Sequence, residues 1–320
     1  MFRFAILGAG KIAVRFANAV KLIDDCSVCA VGSHSHEKAR NFAEKNGIPA
    51  AYGSYEELLD TEKPDAVYIA SVPSMHYETA MLCIGRGIPV LCEKAMFRSS
   101  AEAKAAFTAA KEKGVFLMEA LWSKFLPVNK WAKEKLASGA IGKVNFTDCA
   151  IGFCAPEDDN NRYFNPALAG GAATDITVYA YEITAFLMGC EPEIRSVTAV
   201  PYHTGVDASE LVAMRAGDTL STVRTSFVTN FDDAFTAEGS KGKLVIPHPH
   251  WANEAFLYLN GKDGPTVEHF VDKETENGFT YEINEVISCV KAGRTESDIQ
   301  TPANTIACAE LFDRIYEALK

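Results

Sequence analysis

One short stretch constrains this chain more than any other. Phe2 to Leu7 is a mostly apolar run of strand length, and Gly8-Ala9-Gly10-Lys11-Ile12-Ala13 follows it at once. From Ile12 the apolar residues change to a helical spacing through Phe16, Ala19, Val20 and Ile23. In a strand, G-x-G-x-x-A loop and helix taken in that order, the first Gly makes the tight turn. The second lets a pyrophosphate approach the backbone N–H groups at the positive end of the helix. The same residues in isolation serve equally well as a structural turn. Their position between strand and helix is what points to a dinucleotide, with Gly8, Gly10, Lys11 and Ile12 as the expected contacts.

The rhythm set by this unit continues. Strands are expected over 27–32, 66–71, 89–92 and 115–118, with helices over 36–46, 75–86 and 101–113. Short apolar strands alternating with helices predict a doubly wound parallel sheet. Near Ala120 the pattern changes. After one more helix over 127–138, period-two runs appear at 143–153, 194–203, 210–215, 220–228, 234–238, 243–246, 255–259 and 266–270. These predict an open, mostly antiparallel sheet. Helices over 175–188, 280–291 and 303–319 complete the chain. The expected organisation is an α/β Rossmann domain over 1–121 and an α+β domain over 122–320 for substrate binding and oligomerisation.

Charge narrows the partners. Lys and Arg number 31 against 42 Asp and Glu, a net charge of -11. An acidic surface repels nucleic acid and anionic lipid, so neither is an expected partner. The chain runs from Met1 directly into its first strand and has no apolar run of membrane-spanning length, so a cytoplasmic protein is the default expectation. Nine scattered Cys form no disulfide framework, and Cys83, Cys92, Cys289 and Cys308 sit in apolar periodic segments, as reduced core thiols do. The lone C-x-x-C, Cys26 to Cys29, has no second pair for zinc. His248-Pro249-His250 reads as a strand end and turn rather than as metal ligands, and no metal is expected.

The end of the second strand bears on cofactor choice. NAD sites of this architecture place an acidic residue there for the ribose hydroxyls. Here Gly32-Ser33-His34-Ser35 occupies the position, with Lys11, His36, Lys38 and Arg40 nearby. Without a carboxylate to repel a 2'-phosphate, NADP is favoured, through Ser33 and His34; a permissive site that also accepts NAD is the alternative.

Two charges, Glu93 and Lys94, directly follow the apolar strand Val90-Leu91-Cys92. Ligands of doubly wound sheets lie beyond the carboxyl ends of the strands, which puts this pair at the nicotinamide end of the crevice. A Lys there can hydrogen-bond a substrate hydroxyl and share in its deprotonation; a plain surface ion pair is the alternative. Further on, Gly170-Gly171-Ala172-Ala173-Thr174-Asp175-Ile176-Thr177-Val178-Tyr179 opens a helix. Asp175 and Tyr179, four apart, project from one face of its first turns. Taken singly, they would be a helix-cap carboxylate and an aromatic at a domain seam. A tyrosine phenol, which titrates at about 10 in water, needs a cation beside it to act as a base.

Taken together these motifs resemble the Gfo/Idh/MocA oxidoreductases, most of all the branch with dimeric dihydrodiol dehydrogenase and NADP-dependent xylose dehydrogenases. The resemblance rests on the N-terminal GAGKIA, on Glu93-Lys94, on Met118 to Pro127 (MEALWSKFLP), and on Gly170-Gly171-Ala172 leading to Asp175-Ile176-Thr177-Val178-Tyr179. It implies NADP or NAD as cofactor and a sugar or vicinal diol as substrate, and a homodimer or higher homo-oligomer built through the C-terminal sheet. It implies Lys94 as the catalytic Lys, Tyr179 as the acid/base where most members have His, and Asp175 as a substrate-binding carboxylate. Trp122 and Phe153 would be aromatic walls, with core packing an equal alternative, and Arg162 a polar loop residue near the substrate. Ser71 and His76 fall in the segment that contacts cofactor. The chain departs from the family pattern at three places. Ala95 stands for the Pro of E-K-P, Val72-Pro73 shifts the usual Thr-Pro-Asn, and Thr177 replaces the Gly of D-I-G-x-Y. Two other function classes share this fold: a redox-neutral enzyme with tightly bound NAD, as in the family's glycosidases, and a non-catalytic dinucleotide or sugar sensor. A sensor has no need of a proton relay, which is why the Lys94 and Tyr179 pair argues for a dehydrogenase.

Overall fold

The computed structural model describes residues 1–262 and 264–320. The chain divides into two compact units, Met1–Trp122 with Glu276–Ile306, and Ser123–Thr275 with Ala307–Lys320.

In the first unit β1 (Phe2–Leu7), α1 (Lys11–Val20), β2 (Cys26–Gly32), α2 (His36–Asn46), β3 (Ala50–Tyr52), α3 (Tyr55–Glu62), β4 (Ala66–Ile69), α4 (His76–Gly85), β5 (Val90–Glu93), α5 (Ser100–Lys113) and β6 (Leu117–Ala120) alternate along the chain. The six strands pair in the order β3-β2-β1-β4-β5-β6, and every pairing is parallel. β4 and β5 are buried along their whole length, as strands covered on both faces must be. Serines accept a backbone N–H at the starts of α2, α3 and α5, and α2 and α5 end on left-handed glycines, which fixes where each helix begins and stops. The strand order reverses at β1 and β4, and the crevice outside their carboxyl ends is where this architecture binds its ligand.

The second unit contains α6 (Pro127–Ala137), β7 (Val144–Gly152), α7 (Val178–Met188), β8 (Glu193–Pro201), β9 (Asp207–Ala216), β10 (Thr219–Ser226), β11 (Ala234–Gly239), β12 (Gly242–Pro247), β13 (Glu254–Gly261) and β14 (Gly264–Val271). Its eight strands run β14-β13-β12-β11-β7-β10-β9-β8, all antiparallel except the parallel β7–β10 pair. Helix α7 packs on β7 and β10 and against α6. The opposite face carries Phe146, Leu211 and Leu220, each about half exposed.

The α/β architecture expected from the sequence is present, with a parallel sheet followed by a mostly antiparallel one. β3 and α3 go beyond that reading, and the C-terminal segments are shared between the units. α8 (Phe279–Lys291) packs on α1, and Leu117 N–H donates to the Thr295 carbonyl at 3.2 Å, so residues 276–306 complete the first unit. The sequence reading assigned them to the second domain, since nothing local in a helix states which distant surface it covers. α9 (Pro302–Ala318) runs across that division of the chain. Among the described residues no helix is long and apolar enough to cross a membrane.

Candidate active site

The glycine loop is shaped by backbone against backbone. Gly8 has φ +117°, and a Cβ there would lie 2.7 Å from the carbonyl carbon and oxygen of Ala70 at the end of β4. Only glycine fits, and the loop passes close to the carboxyl end of β4 because of it. Gly10 caps α1, whose first turn carries no acidic residue and no side-chain cap, so its N–H groups face outward at Lys11 and Ile12. Beyond β2, Ser35 N–H donates to Ser33 Oγ at 3.4 Å, and the His34 ring lies 4.8 Å from Tyr55. No carboxylate stands between Gly32 and His36. The glycine cradle, the open helix end and this hydroxyl-imidazole corner fit an NADP-type dinucleotide.

At the end of β5 the side chains are tightly organised. Tyr68 Oη on β4 donates to Glu93 Oε1, and the Tyr68 ring stacks on Phe16 of α1 at 3.8 Å. Lys94 follows, and the Lys94–Ala95 peptide bond is cis. Two buried side chains hold this turn from either side. The His76 ring reaches the Ala95 carbonyl oxygen through Nδ1 at 2.9 Å and the Ser71 carbonyl oxygen through Nε2 at 3.0 Å. A neutral imidazole has one N–H to donate between the two, and burial holds the His76 pKa below its ordinary value despite both carbonyls. From the other side, Glu119 on β6 accepts the Met96 N–H at 2.9 Å, Thr305 Oγ1 at 2.8 Å and Gln300 Nε2 at 3.3 Å. With alanine at 95, these hydrogen bonds do the holding that a proline ring would otherwise share. Ser71 contributes its carbonyl; its hydroxyl is buried without a hydrogen-bond partner among the described residues.

Also in the first unit, Trp122 packs on Phe279 of α8 at 5.3 Å between ring centroids. On the same helix, Glu282 is fully buried, with no hydrogen-bond partner for either carboxyl oxygen among the described residues. Burial, and then the charge of Glu93, push its pKa well above the ordinary carboxylate range, which favours the neutral acid.

The second unit gathers the remaining expected residues. Asp175 lies in a π-helical turn, Ala173–Thr177, that leads into α7. Arg162 pairs with it in a fork, Nη2 to Oδ2 at 3.2 Å and Nη1 to Oδ1 at 3.4 Å, and also donates from Nη2 to Tyr163 Oη at 3.0 Å. The Tyr163 ring meets Phe153 edge-on at 5.5 Å, and both pack against Phe227. Arg162, Asp175 and Phe153 are thereby joined through Tyr163 into one cluster. Tyr179, on the first turn of α7, has the His250 ring as a neighbour at 5.7 Å. Asn129 holds the backbone beside that imidazole, donating from Nδ2 to the Pro249 carbonyl oxygen at 3.0 Å. The sequence reading passed over His250, Tyr163 and Phe279 because each gains its place only through tertiary packing. For His250 the visible signal was the H-P-H turn, dismissed when read for metal alone.

The two thiols of the C-x-x-C are chemically quiet. None of the nine cysteines is in a disulfide, and burial pushes both Cys26 and Cys29 up to about 11, which disfavours the reactive thiolate.

Residues 2–121 match the family model described as oxidoreductase family, NAD-binding Rossmann fold, and residues 130–245 match the GFO/IDH/MocA C-terminal domain. The trans-1,2-dihydrobenzene-1,2-diol dehydrogenase of Xenopus tropicalis is 30% identical over 99% of this chain and 98% of its own length. The chain belongs to the Gfo/Idh/MocA oxidoreductase family. The mouse (Mus musculus) enzyme of the same name is 31% identical over 99% of this chain and 96% of its own. Among solved structures, an aldose-aldose oxidoreductase from Caulobacter crescentus superposes with a TM-score of 0.88 at 23% identity, covering 99% of this chain and 97% of its own. A levoglucosan dehydrogenase in complex with NADH and levoglucosan has the same TM-score and coverage at 19% identity. These likenesses extend the Gfo/Idh/MocA fold over nearly the whole chain.

Proposed function

We propose that this Gfo/Idh/MocA protein is an NAD(P)-dependent dehydrogenase of vicinal diols or cyclic sugars, with NADP as the preferred cofactor. The observation that carries the reading is Lys94, set directly beyond the carboxyl end of β5 on a turn fixed by His76 and Glu119. That end of a doubly wound sheet is where ligands bind. The dihydrodiol dehydrogenase relatives and the sugar-enzyme neighbours support the substrate class, and neighbours solved with NADP or NADH support the cofactor.

The glycine loop and the N-terminus of α1 hold the pyrophosphate, with Lys11 and Ile12 at the loop's exit. Ser33 and His34 receive the adenosine ribose and its 2'-phosphate. When bound, the nicotinamide supplies the hydride acceptor or donor. The chain's own part is the proton. Lys94 Nζ donates a hydrogen bond to the reacting hydroxyl, and Tyr179 Oη takes its proton in oxidation and returns it in reduction. Asp175, kept in place by the Arg162 fork, accepts a hydrogen bond from a neighbouring substrate hydroxyl. Trp122 and Phe153 supply apolar walls against the sugar or ring carbons. Ser71 and His76 act on the cofactor side through the backbone they hold.

Lys94→Met and Tyr179→Phe are each expected to lower kcat by about 10²-fold or more, the size of effect expected when a positioned acid/base is removed. The measurement is reduced-cofactor absorbance on a panel of trans-dihydrodiols, aldoses and inositols with NADP and NAD. Near-wild-type turnover in both variants would remove the assignment. The same reading includes a cytoplasmic homodimer joined through the exposed face of the antiparallel sheet, where Phe146, Leu211 and Leu220 lie uncovered in each chain.

A further inference from the structure

The second unit contains a buried acidic pair that the mechanism does not use. Asp207 and Glu210 lie three apart on β9, a spacing that normally sends side chains to opposite faces. Here the β8–β9 register slips between Val200, opposite Ser209, and Pro201, opposite Asp207, leaving Ala208 as the extra residue of a bulge. The bulge brings Asp207 to the buried side with Glu210, and the two are 1% and 4% exposed.

Both carboxyls then act on the same five-residue turn. Asp207 Oδ2 accepts the N–H of Ala173, its first residue, at 2.6 Å. Glu210 Oε2 accepts the hydroxyl of Thr177, its last residue, at 3.0 Å. Thr225 of β10 closes the triangle, with its Oγ1 2.6 Å from Thr177 Oγ1 and donating to the same Glu210 oxygen. The approach is close enough that Gly171, at φ +125°, has no room for a Cβ beside the Asp207 carboxylate. A π-helical turn is wider than an α-helical one, is rare, and is frequently found at functional sites. This one carries Asp175 at its centre and is followed two residues later by Tyr179.

We infer that Asp207 and Glu210 are positioning residues that pin the two ends of the Ala173–Thr177 turn and thereby set where Asp175 and Tyr179 stand. The inference rests on the roles given to those two residues above. Thr177 is the point of attachment, so the position that departs from the family's glycine is the one through which Glu210 acts. Burial, the charge of Asp207 and a hydrogen bond to its carboxyl favour the neutral acid at Glu210. Glutamine, which offers the same carbonyl acceptor, should therefore replace Glu210 with little loss.

The test compares Glu210→Ala and Thr177→Val with the conservative Glu210→Gln and Thr177→Ser. The readouts are steady-state turnover on the diol and aldose panel, NADP titration, thermal unfolding, and amide hydrogen exchange of residues 173–179. In Glu210→Ala and Thr177→Val, kcat should fall at least tenfold and exchange in that segment should rise at least tenfold, with NADP affinity within twofold of wild type. Glu210→Gln and Thr177→Ser should stay within threefold on every readout. Folded Glu210→Ala and Thr177→Val proteins with wild-type kcat and exchange would overturn the inference, as would Glu210→Gln falling as far as Glu210→Ala. If Glu210→Ala does not fold, the nearly isosteric Thr177→Val decides alone. Tyr179→Phe run alongside separates the two readings. Should it retain turnover, the role given to Tyr179 fails, and should no substrate turn over, the catalytic assignment fails, while in either case the exchange data still judge the pinning.

Discussion

At the scale of single residues, position is decided by what cannot be moved. Gly8 is the clearest case, because its φ of +117° and the Ala70 carbonyl 2.7 Å from any added Cβ leave no accommodation that spares the backbone. Gly8→Ala is expected to lower NADP affinity at least tenfold and to destabilise the fold by about 1–3 kcal/mol, the range for a residue forced into a sparsely populated conformation. Cofactor titration and thermal unfolding check this together; an alanine protein with wild-type affinity would show that the loop is not the binding element. Lys94 could be found from the chain alone because two charges directly after a fully apolar strand conflict with burial. His250 and Glu282 could not. Nothing in H-P-H or in a helix reading FTYEINEV says that one ring will face Tyr179 or that one carboxyl will be sealed from water.

At the scale of elements, periodicity was the informative quantity. Helix α2 and strand β1 were read with their observed bounds, and the second unit's eight strands were each read to within a few residues, since alternation survives wherever one face is solvated. β3 escaped because three residues are too few to alternate, and α3 escaped with it. The outer face of the antiparallel sheet makes a prediction at this scale. Leu220 pairs in register with Phe146 on β7, and Leu211 lies across from Arg224. These apolar side chains therefore share one face with Arg215 and Arg224. Leu220→Arg is expected to shift the sedimenting species from dimer to monomer while leaving the thermal transition of the sheet nearly unchanged. A wild-type protein that sediments as a monomer would remove this face as a dimer surface.

At the scale of the whole molecule, buried acids set how stability responds to pH. Glu282 has its folded pKa raised well above the ordinary 4.5, so above that pH the folded state holds a proton that the unfolded chain releases. Its contribution is therefore fully present below about pH 4.5 and declines as pH rises through the folded value, by up to about 1.4 kcal/mol per pH unit. His76 works in the other direction, since its folded value is lowered from 6.5 and acid below that point favours the unfolded chain. Glu282→Gln removes one of these two terms. Its unfolding free energy relative to wild type should rise as the pH is raised above about 4.5, as measured by denaturant titration; a gap that does not vary with pH would mean that Glu282 ionises freely in the folded protein.

The return of residues 276–306 to the first unit also governs how the protein is made. A nascent chain emerging from the ribosome has all six parallel strands by residue 120, yet the helix that packs on α1 is still to be synthesised. At about 5–20 residues per second, roughly 10 to 40 s separate residue 122 from residue 306. Through that interval the dinucleotide-binding unit waits with the α8 surface of α1 uncovered, while the whole antiparallel sheet is translated. The second unit's sheet can close before the first unit is complete, so the order in which the units mature is not the order in which they begin.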